Sequence, residues 1–350
     1  MTNQNFKKCI VLTLLTISAY ICFAQPASQK NWFNIRDFGA KGDGISVDSK
    51  AINNTINAAS LAGGGTVYFP AGTYLSYSIR LKSNISLYLD QGSTLLAAEP
   101  GKGGSYDAVE PGANNKFQDF GHSHWHNSLI WGENLENISV LGPGIIYGKG
   151  LSRGFYAEDH WERLGVDPGH LMKEGSANKA IALKLCRNVI LKDFTILYGG
   201  HFGILATGVS NLTVDNLKMD TNRDGIDIDC CSNVRISNCT VNSPYDDAIC
   251  LKSSFALGYA RPTENVTITN CQVSGYDLGT FHNGTYQRKQ WNQVPDQEGP
   301  TGRIKFGTES NGGFRGITIS NCVFEYCRGL ALETVDGGLL EDVTITNIVM

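Results

Sequence analysis

Two short phrases, Asn222-Arg-Asp-Gly-Ile-Asp227 and Tyr245-Asp-Asp247, bring acidic side chains together in an otherwise lightly charged stretch. His201, Asp224 and Asp247 recur at intervals of 23 residues, each just ahead of a short apolar run: Phe202-Gly-Ile-Leu, Ile226-Asp-Ile and Ala248-Ile-Cys-Leu. An interval of that size is the signature of a solenoid. Equivalent positions on successive coils then lie about 4.8 Å apart, the spacing of neighbouring strands. Carboxylates held that close repel, and the pKa of one of them rises. A carboxyl that keeps its proton can protonate a leaving glycosidic oxygen while an ionised partner activates water. For inversion the two stand roughly 6.5–9.5 Å apart. Clustered Asp also suits a hard cation such as calcium, and Asp-Gly taken alone is a good turn. The aligned set favours acid–base chemistry over turn chemistry.

Such chemistry needs elements that hold one turn above another. The phrase Asn-(apolar)-x-(apolar)-x-(Asn/Asp) starts at Asn188, Asn211, Asn233 and Asn265, with weaker copies at Asn84, Asn137, Gly316 and Asp342. Alternating apolar and polar residues mark strands with one buried face. The Asn and Gly punctuation marks turns, where Asn tolerates the left-handed conformation and can bond local backbone. Steps of 23 and 22 residues, then 32 and 51, describe regular coils followed by coils with inserted loops. The expected fold is all-β, a right-handed parallel β-helix; a propeller would need a longer repeat of four strands.

Ahead of the repeat, residues Ser49 to Ala62 have helical spacing and a serine cap. A helix there covers the open N-terminal end of the solenoid, which otherwise exposes unpaired edge groups. Segments 98–128 (His122, His124, Trp125, His126) and 276–301 (Tyr276, Phe281, His282, Tyr286, Trp291) are expected to wall a sugar cleft. The chain stops at Met350 in mid-repeat, so further C-terminal coils are expected.

The 350 residues carry a formal charge of −4, and no basic run supports a nucleic-acid partner. A locally basic cleft still suits an acidic ligand. Residues 1–24, with Lys7 and Lys8 ahead of an apolar run from Cys9 to Phe23, read as an export signal. That leaves 25–350 as one domain. The run is shorter than the roughly 20 residues a membrane span needs, and no other segment could cross. The destination is periplasm, cell surface or medium, and a monomer is expected. Of ten cysteines two fall in the signal. Cys239, Cys271 and Cys322 each follow Asn and suggest a ladder of buried thiols. Disulfides at Cys230-Cys231 or Cys322/Cys327 stay open. No Cys-x-x-Cys pair or zinc-like His spacing points to a structural metal, and no cofactor is expected.

At these residues the chain resembles glycoside hydrolase family 28, the polygalacturonases and their relatives. Phe33-Asn-Ile-Arg-Asp-Phe-Gly-Ala-Lys-Gly-Asp-Gly44 resembles the opening segment shared with other pectin-active β-helices. Asn222-Arg-Asp224-Gly resembles the family's Asn-Thr-Asp-Gly, and Tyr245-Asp246-Asp247 its Gly-Asp-Asp. The resemblance implies Asp246 as general acid, with Asp224 and Asp247 acting on water. It also implies a Gly-His-Gly turn on the next coil and Arg-Ile-Lys one coil later. The string Arg303-Ile-Lys305 is present, but Gly302 to Gly313 resembles the segment that normally carries the Gly-His-Gly turn. Arg328-Gly-Leu-Ala-Leu-Glu-Thr334 then takes the place of Arg-Ile-Lys, with Ala331 and Glu333 where bases belong. In the other register Arg303 and Lys305 keep the family's places and His282 is the displaced histidine.

In the family those bases hold the uronate carboxylate. Here Arg303, Lys305, Arg223 (where the family has Thr), Lys252 and Asn222 are the expected substrate contacts. Glu333 would repel a carboxylate or bind a neutral sugar's hydroxyls. His201 orients substrate or water, or is a core histidine. The expected activity is hydrolysis, with inversion, of an α-linked galacturonic-acid-containing pectic polymer or oligomer. Alternatives are a rhamnogalacturonan- or side-chain-specific hydrolase of the same family, a calcium-dependent lyase or epimerase, and a non-catalytic polysaccharide-binding solenoid.

Overall fold

A computed structural model describes residues 32–101, 103–111, 122–153, 174–288 and 299–350. The signal-like residues 1–24 and Trp291 lie outside them. The alternating phrases form short strands that pair in parallel, coil upon coil, as a right-handed parallel β-helix. Eight strands make one continuous sheet: β1 (Ile79–Arg80), β2 (Ile130–Glu133), β3 (Lys179–Lys184), β4 (Phe202–Thr207), β5 (Asp224–Asp229), β6 (Ile249–Ser253), β7 (Ile304–Ser310) and β8 (Leu330–Leu332). The other strands stack in parallel around the rest of each coil; Arg187–Lys192, for example, lies between Glu136–Leu141 and Ser210–Asp215.

Register within the eight-stranded sheet fixes which residues face out. Ile79, Ile130, Ile181, Ile204, Ile226, Ile249 and Ile304 pair in sequence and are fully buried, an isoleucine column through the core. Each such side chain contributes about 1.5–3 kcal/mol on burial. Strand neighbours point to opposite faces, so the next row, Ala182–Leu205–Asp227–Cys250–Lys305–Ala331, lies on the outer face.

The repeat's asparagines do take the left-handed conformation: Asn84, Asn137, Asn188, Asn211, Asn233 and Asn265 have φ between 54° and 62°. Their side chains differ from expectation. Instead of bonding local backbone they bond one another across coils, as in Asn137 to Asn84 (2.8 Å), Asn188 to Asn137 (2.9 Å) and Asn211 to Asn188 (3.1 Å). Identical residues stacked one strand apart are closer to each other's amides than to unpaired backbone groups.

The equal 23-residue step also needs correcting. Phe202, not His201, pairs with Asp224, because the coil between β4 and β5 is one residue shorter than the next. His201 therefore stands ahead of the strand, level with Arg223. The helix α1 (Ser49–Leu61) forms where expected and buries Ile52, Thr55, Ile56 and Ala59 against the first strands. Ser49 does not cap it. Asp48 precedes it without a side-chain cap bond, and the Ser49 hydroxyl instead accepts from the Tyr77 N–H at 2.7 Å. All eight described cysteines are free, and seven are buried. Among the described residues no helix is long and apolar enough to cross a membrane.

Candidate active site

Asp224 opens β5, and Asp246-Asp247 lead into β6 one coil later. Gly225 makes this stacking possible. A Cβ there would lie 2.4 Å from the Ala248 carbonyl oxygen. Without one the coils close, and the Gly225 N–H donates to the Asp247 carbonyl (2.9 Å). The Asp247 N–H in turn faces Asp224 Oδ1 (3.2 Å) and Asp246 Oδ1 (3.1 Å). Asp224, Asp246 and Asp247 each place an oxygen within 4.8 Å of the others. That is tighter than the carboxyl spacing of an inverting pair.

Four basic side chains interleave with them. Arg223 Nη2 bonds Asp246 Oδ2, and Arg303 Nε donates to Asp247 Oδ1 at 2.6 Å. Lys305 Nζ lies 3.7 Å from Asp247 Oδ2, and Lys252 Nζ 3.8 Å from Asp224 Oδ2. Each of the three carboxylates thus faces at least one protein cation, which offsets part of their mutual repulsion. Glu333 faces the same two bases, 3.4 Å from Lys305 Nζ and 3.9 Å from Arg303 Nη2. Pairing of Lys305 with Cys250 on one side and Ala331 on the other places Arg303-Ile-Lys305 on the coil directly after the Asp pair. Ala331 and Glu333 follow one coil later. His282, the displaced histidine of the other register, lies elsewhere: its N–H donates to Asp220 (2.9 Å), and it lines a cavity with Thr195, Lys218 and Phe281.

The four carboxyl groups divide electrostatically. Burial, then the charges of Asp227 and Asp246, push Asp224 well above the ordinary carboxylate range. Burial and Asp246 raise Asp247 as well. Burial lifts Asp227 to about 8. Asp246 goes the other way: burial pushes it up, but Arg223, then Lys252, hold it below the usual value. His201 is buried and packs on Phe202, ring centroids 4.3 Å apart. Burial and nearby Arg223 lower its pKa well below the usual value, so it is neutral. Asn222 is buried, and its Oδ1 has no hydrogen-bond partner among the described residues.

Beneath the cleft lie three residues absent from the expected catalytic and substrate-binding set, of which His122 belongs to the segment expected to wall the cleft. Asp227 is fully buried, and neither of its carboxylate oxygens has a hydrogen-bond partner among the described residues. Glu309 bonds Lys252 (3.2 Å) and is drawn down to about 2: burial opposes this, but Lys252 and then His122 prevail. His122 Nε2 stands 4.0 Å from Asp227, and its Nδ1 3.8 Å from Glu309. The outward row of β5 contains a signal for Asp227, and a lone Glu inside the strand Ile304–Ser310 one for Glu309. His122 arrives on a loop without periodicity and leaves no such signal.

That loop walls the cleft on one side. Trp125 packs with Ala182, Phe202 and Leu205, and its indole N–H donates to Thr207 (3.0 Å). Of 276–301, residues 276–288 go elsewhere, while the Thr301 N–H donates to the Pro244 carbonyl beside the Asp pair (3.0 Å). Residues 276–288 bond Asp220 and Asn242, and Tyr276, Phe281 and Tyr286 line a separate groove of about 510 Å³ with Gln272 and Arg288.

Residues 32–136 match the family described as rhamnogalacturonase A/epimerase, pectate lyase-like, and residues 173–293 the right-handed beta helix region. A probable polygalacturonase from Vitis vinifera is 26% identical over 347 residues, covering 94% of this chain and 65% of that protein. An exo-poly-alpha-D-galacturonosidase from Dickeya chrysanthemi is also 26% identical, covering 68% of this chain and 45% of its own length. In sequence the chain resembles polygalacturonases. It spans about two-thirds of the first relative and under half of the second. The solved exopolygalacturonase of Thermotoga maritima shares the fold, with a TM-score of 0.64 at 20% identity, covering 91% of this chain and 75% of that one.

Proposed function

We propose that the chain is an exported glycoside hydrolase acting on galacturonic-acid-containing pectic polymers or oligomers, with Asp246 as proton donor and Asp224 and Asp247 acting on water. The observation that carries this is the cluster of three carboxylates at the starts of adjacent strands, interleaved with Arg223, Lys252, Arg303 and Lys305 in a partly open cleft. General acid–base hydrolysis needs one protonated and one ionised carboxyl at a site; in the resting site Asp246 is the one held ionised, and the bases suit an anionic sugar. Inversion is inferred from the resemblance rather than from the carboxyl spacing, and NMR of the first-formed anomer tests it. Glu333, in a place where the family has a base, favours a sugar or linkage other than plain galacturonan.

The deciding experiment is reducing-end release from a panel of pectic polymers and oligomers, by wild type and Asp246→Asn, with chelator present. Hydrolysis that survives chelation and falls by about 10²-fold or more in the variant is the expected result. An unsaturated, ultraviolet-absorbing product would instead indicate a lyase. Binding without turnover, unchanged in the variant, would indicate a carbohydrate-binding module. Export is tested by the N-terminal sequence of the mature protein, expected to begin after Ala24.

A further inference from the structure

Asp246, the residue the proposed reaction needs as an acid, is the carboxylate the resting site keeps ionised. Its Oδ2 is bonded by Arg223 Nη2, and the pair faces the cleft, with side-chain exposures of 16% for Arg223 and 22% for Asp246. Arg223 stands where the resembled family has an uncharged Thr. The groups acting on Asp246 come from each neighbouring element: Arg223 and Asp224 at the start of β5, Asp247 beside it, Lys252 on β6 and Arg303 ahead of β7. Arg303 bonds Asp247, and Lys252 bonds Glu309, so each has another carboxylate to hold. Arg223 is the cation bonded directly to Asp246.

We propose that Arg223 is a latch displaced by substrate: a sugar carboxylate entering the cleft draws the guanidinium off Asp246, which then takes one proton from solvent and becomes the acid. The inference rests on the hydrolase reading and adds to it a requirement for a charged sugar. A guanidinium does not deprotonate in proteins, so the pair separates only when another anion replaces Asp246. Exchanging one carboxylate for another conserves charge-assisted hydrogen bonds. A hydroxyl from a neutral sugar cannot match that. Once Arg223 leaves, the strongest influence holding Asp246 ionised is gone, and burial favours its protonated form. No bond in the sugar is made or broken in this step; the carboxylate gains a proton and nothing else changes. Discrimination then appears in kcat as well as KM, because a neutral analogue can bind without arming the acid.

The test is calorimetric titration with D-galacturonic acid, which has no glycosidic bond to cleave, at about pH 5, above the ordinary Asp value. Repeating it in buffers of different ionisation enthalpy gives the protons taken up on binding. Wild type is expected to take up about one proton per sugar and Asp246→Asn none. Arg223→Gln is expected to take up none, Arg223→Lys part, and galactose to cause no uptake in any of them. In parallel, the alkaline limb of kcat should lie above that of kcat/KM by about one pH unit or more in wild type and coincide with it in Arg223→Gln. Binding without proton uptake, or uptake unchanged in Arg223→Gln, overturns the latch while hydrolysis of pectic oligomers leaves the hydrolase reading standing. Failure of every pectic ligand to bind or be cleaved overturns both.

Discussion

Buried charge at the base of the cleft makes stability depend on pH in opposite directions for two residues. Glu309, drawn down to about 2 chiefly by Lys252 against its burial, contributes stability that is present above its unfolded value and lost as pH falls toward 2. Asp227, lifted to about 8 by burial, does the reverse: the folded state binds its proton more tightly, so stability declines from about pH 4 upward until pH passes 8. Asp227→Asn removes a buried carboxylate whose oxygens have no hydrogen-bond partner among the described residues. Its melting temperature should fall less between pH 5 and pH 8 than that of wild type, a relative gain of a few kcal/mol at about 1.4 kcal/mol per unit. A wild-type melting temperature that rises over that interval would refute the assignment. Glu333→Gln should lower KM for an anionic oligomer by about 3–10-fold, since a like charge beside Lys305 and Arg303 is removed. An unchanged KM would mean that Glu333 stands clear of the sugar carboxylate. Asp224 is legible in the sequence because a glycine and an apolar run follow it, and Asp246-Asp247 because the apolar run Ala248 to Leu251 does. Arg223 is legible as a cation, but not its pairing with Asp246, which depends on where a side chain lies between coils.

At the scale of elements, the loop carrying His122 and Trp125 decides the shape of the site. Trp125 covers Ala182 of β3 and Phe202 and Leu205 of β4, on the coils ahead of the carboxylates. A polymer lying across Asp246 along the sheet meets that wall on the β4 side. Short products of one size are therefore expected from the first minutes of a digest, rather than a ladder of intermediates. Size-resolved chromatography of a galacturonan time course checks this, and an early ladder would place the polymer across the wall. The strands and α1 are readable from periodicity, which reflects burial on one face. Loop paths are not, because an insert's length says nothing about which face it folds over: His122 reaches Asp227 and Glu309, while residues 276–288 pack on Asp220 and Asn242. The one-residue offset of His201 is invisible for a related reason. A turn can drop a residue without changing the apolar pattern on either side.

For the whole molecule, stability in a solenoid comes from each coil and its neighbours, and the stacked asparagines contribute to several of these interfaces. Asn211→Ala should cost more than Asn211→Gly by about 1 kcal/mol, because alanine is strained at φ 55° and glycine is not. Equal losses in chemical denaturation would show that the left-handed corner costs alanine no more than glycine. The repeat is legible because the left-handed corner selects Asn, and the stack then reuses it.

That corner has an evolutionary consequence. From Asn265 to Gly316 one coil and its inserts take 51 residues, yet Val266 still pairs with Ile317 and Thr267 with Thr318. Inserts leave and rejoin the stack without shifting the coils on either side. Lineages can therefore lengthen, trim or exchange the excursions, and so change which sugar is admitted, while the acids at the strand starts keep their places. In such a scaffold substrate preference can drift quickly and the chemistry slowly.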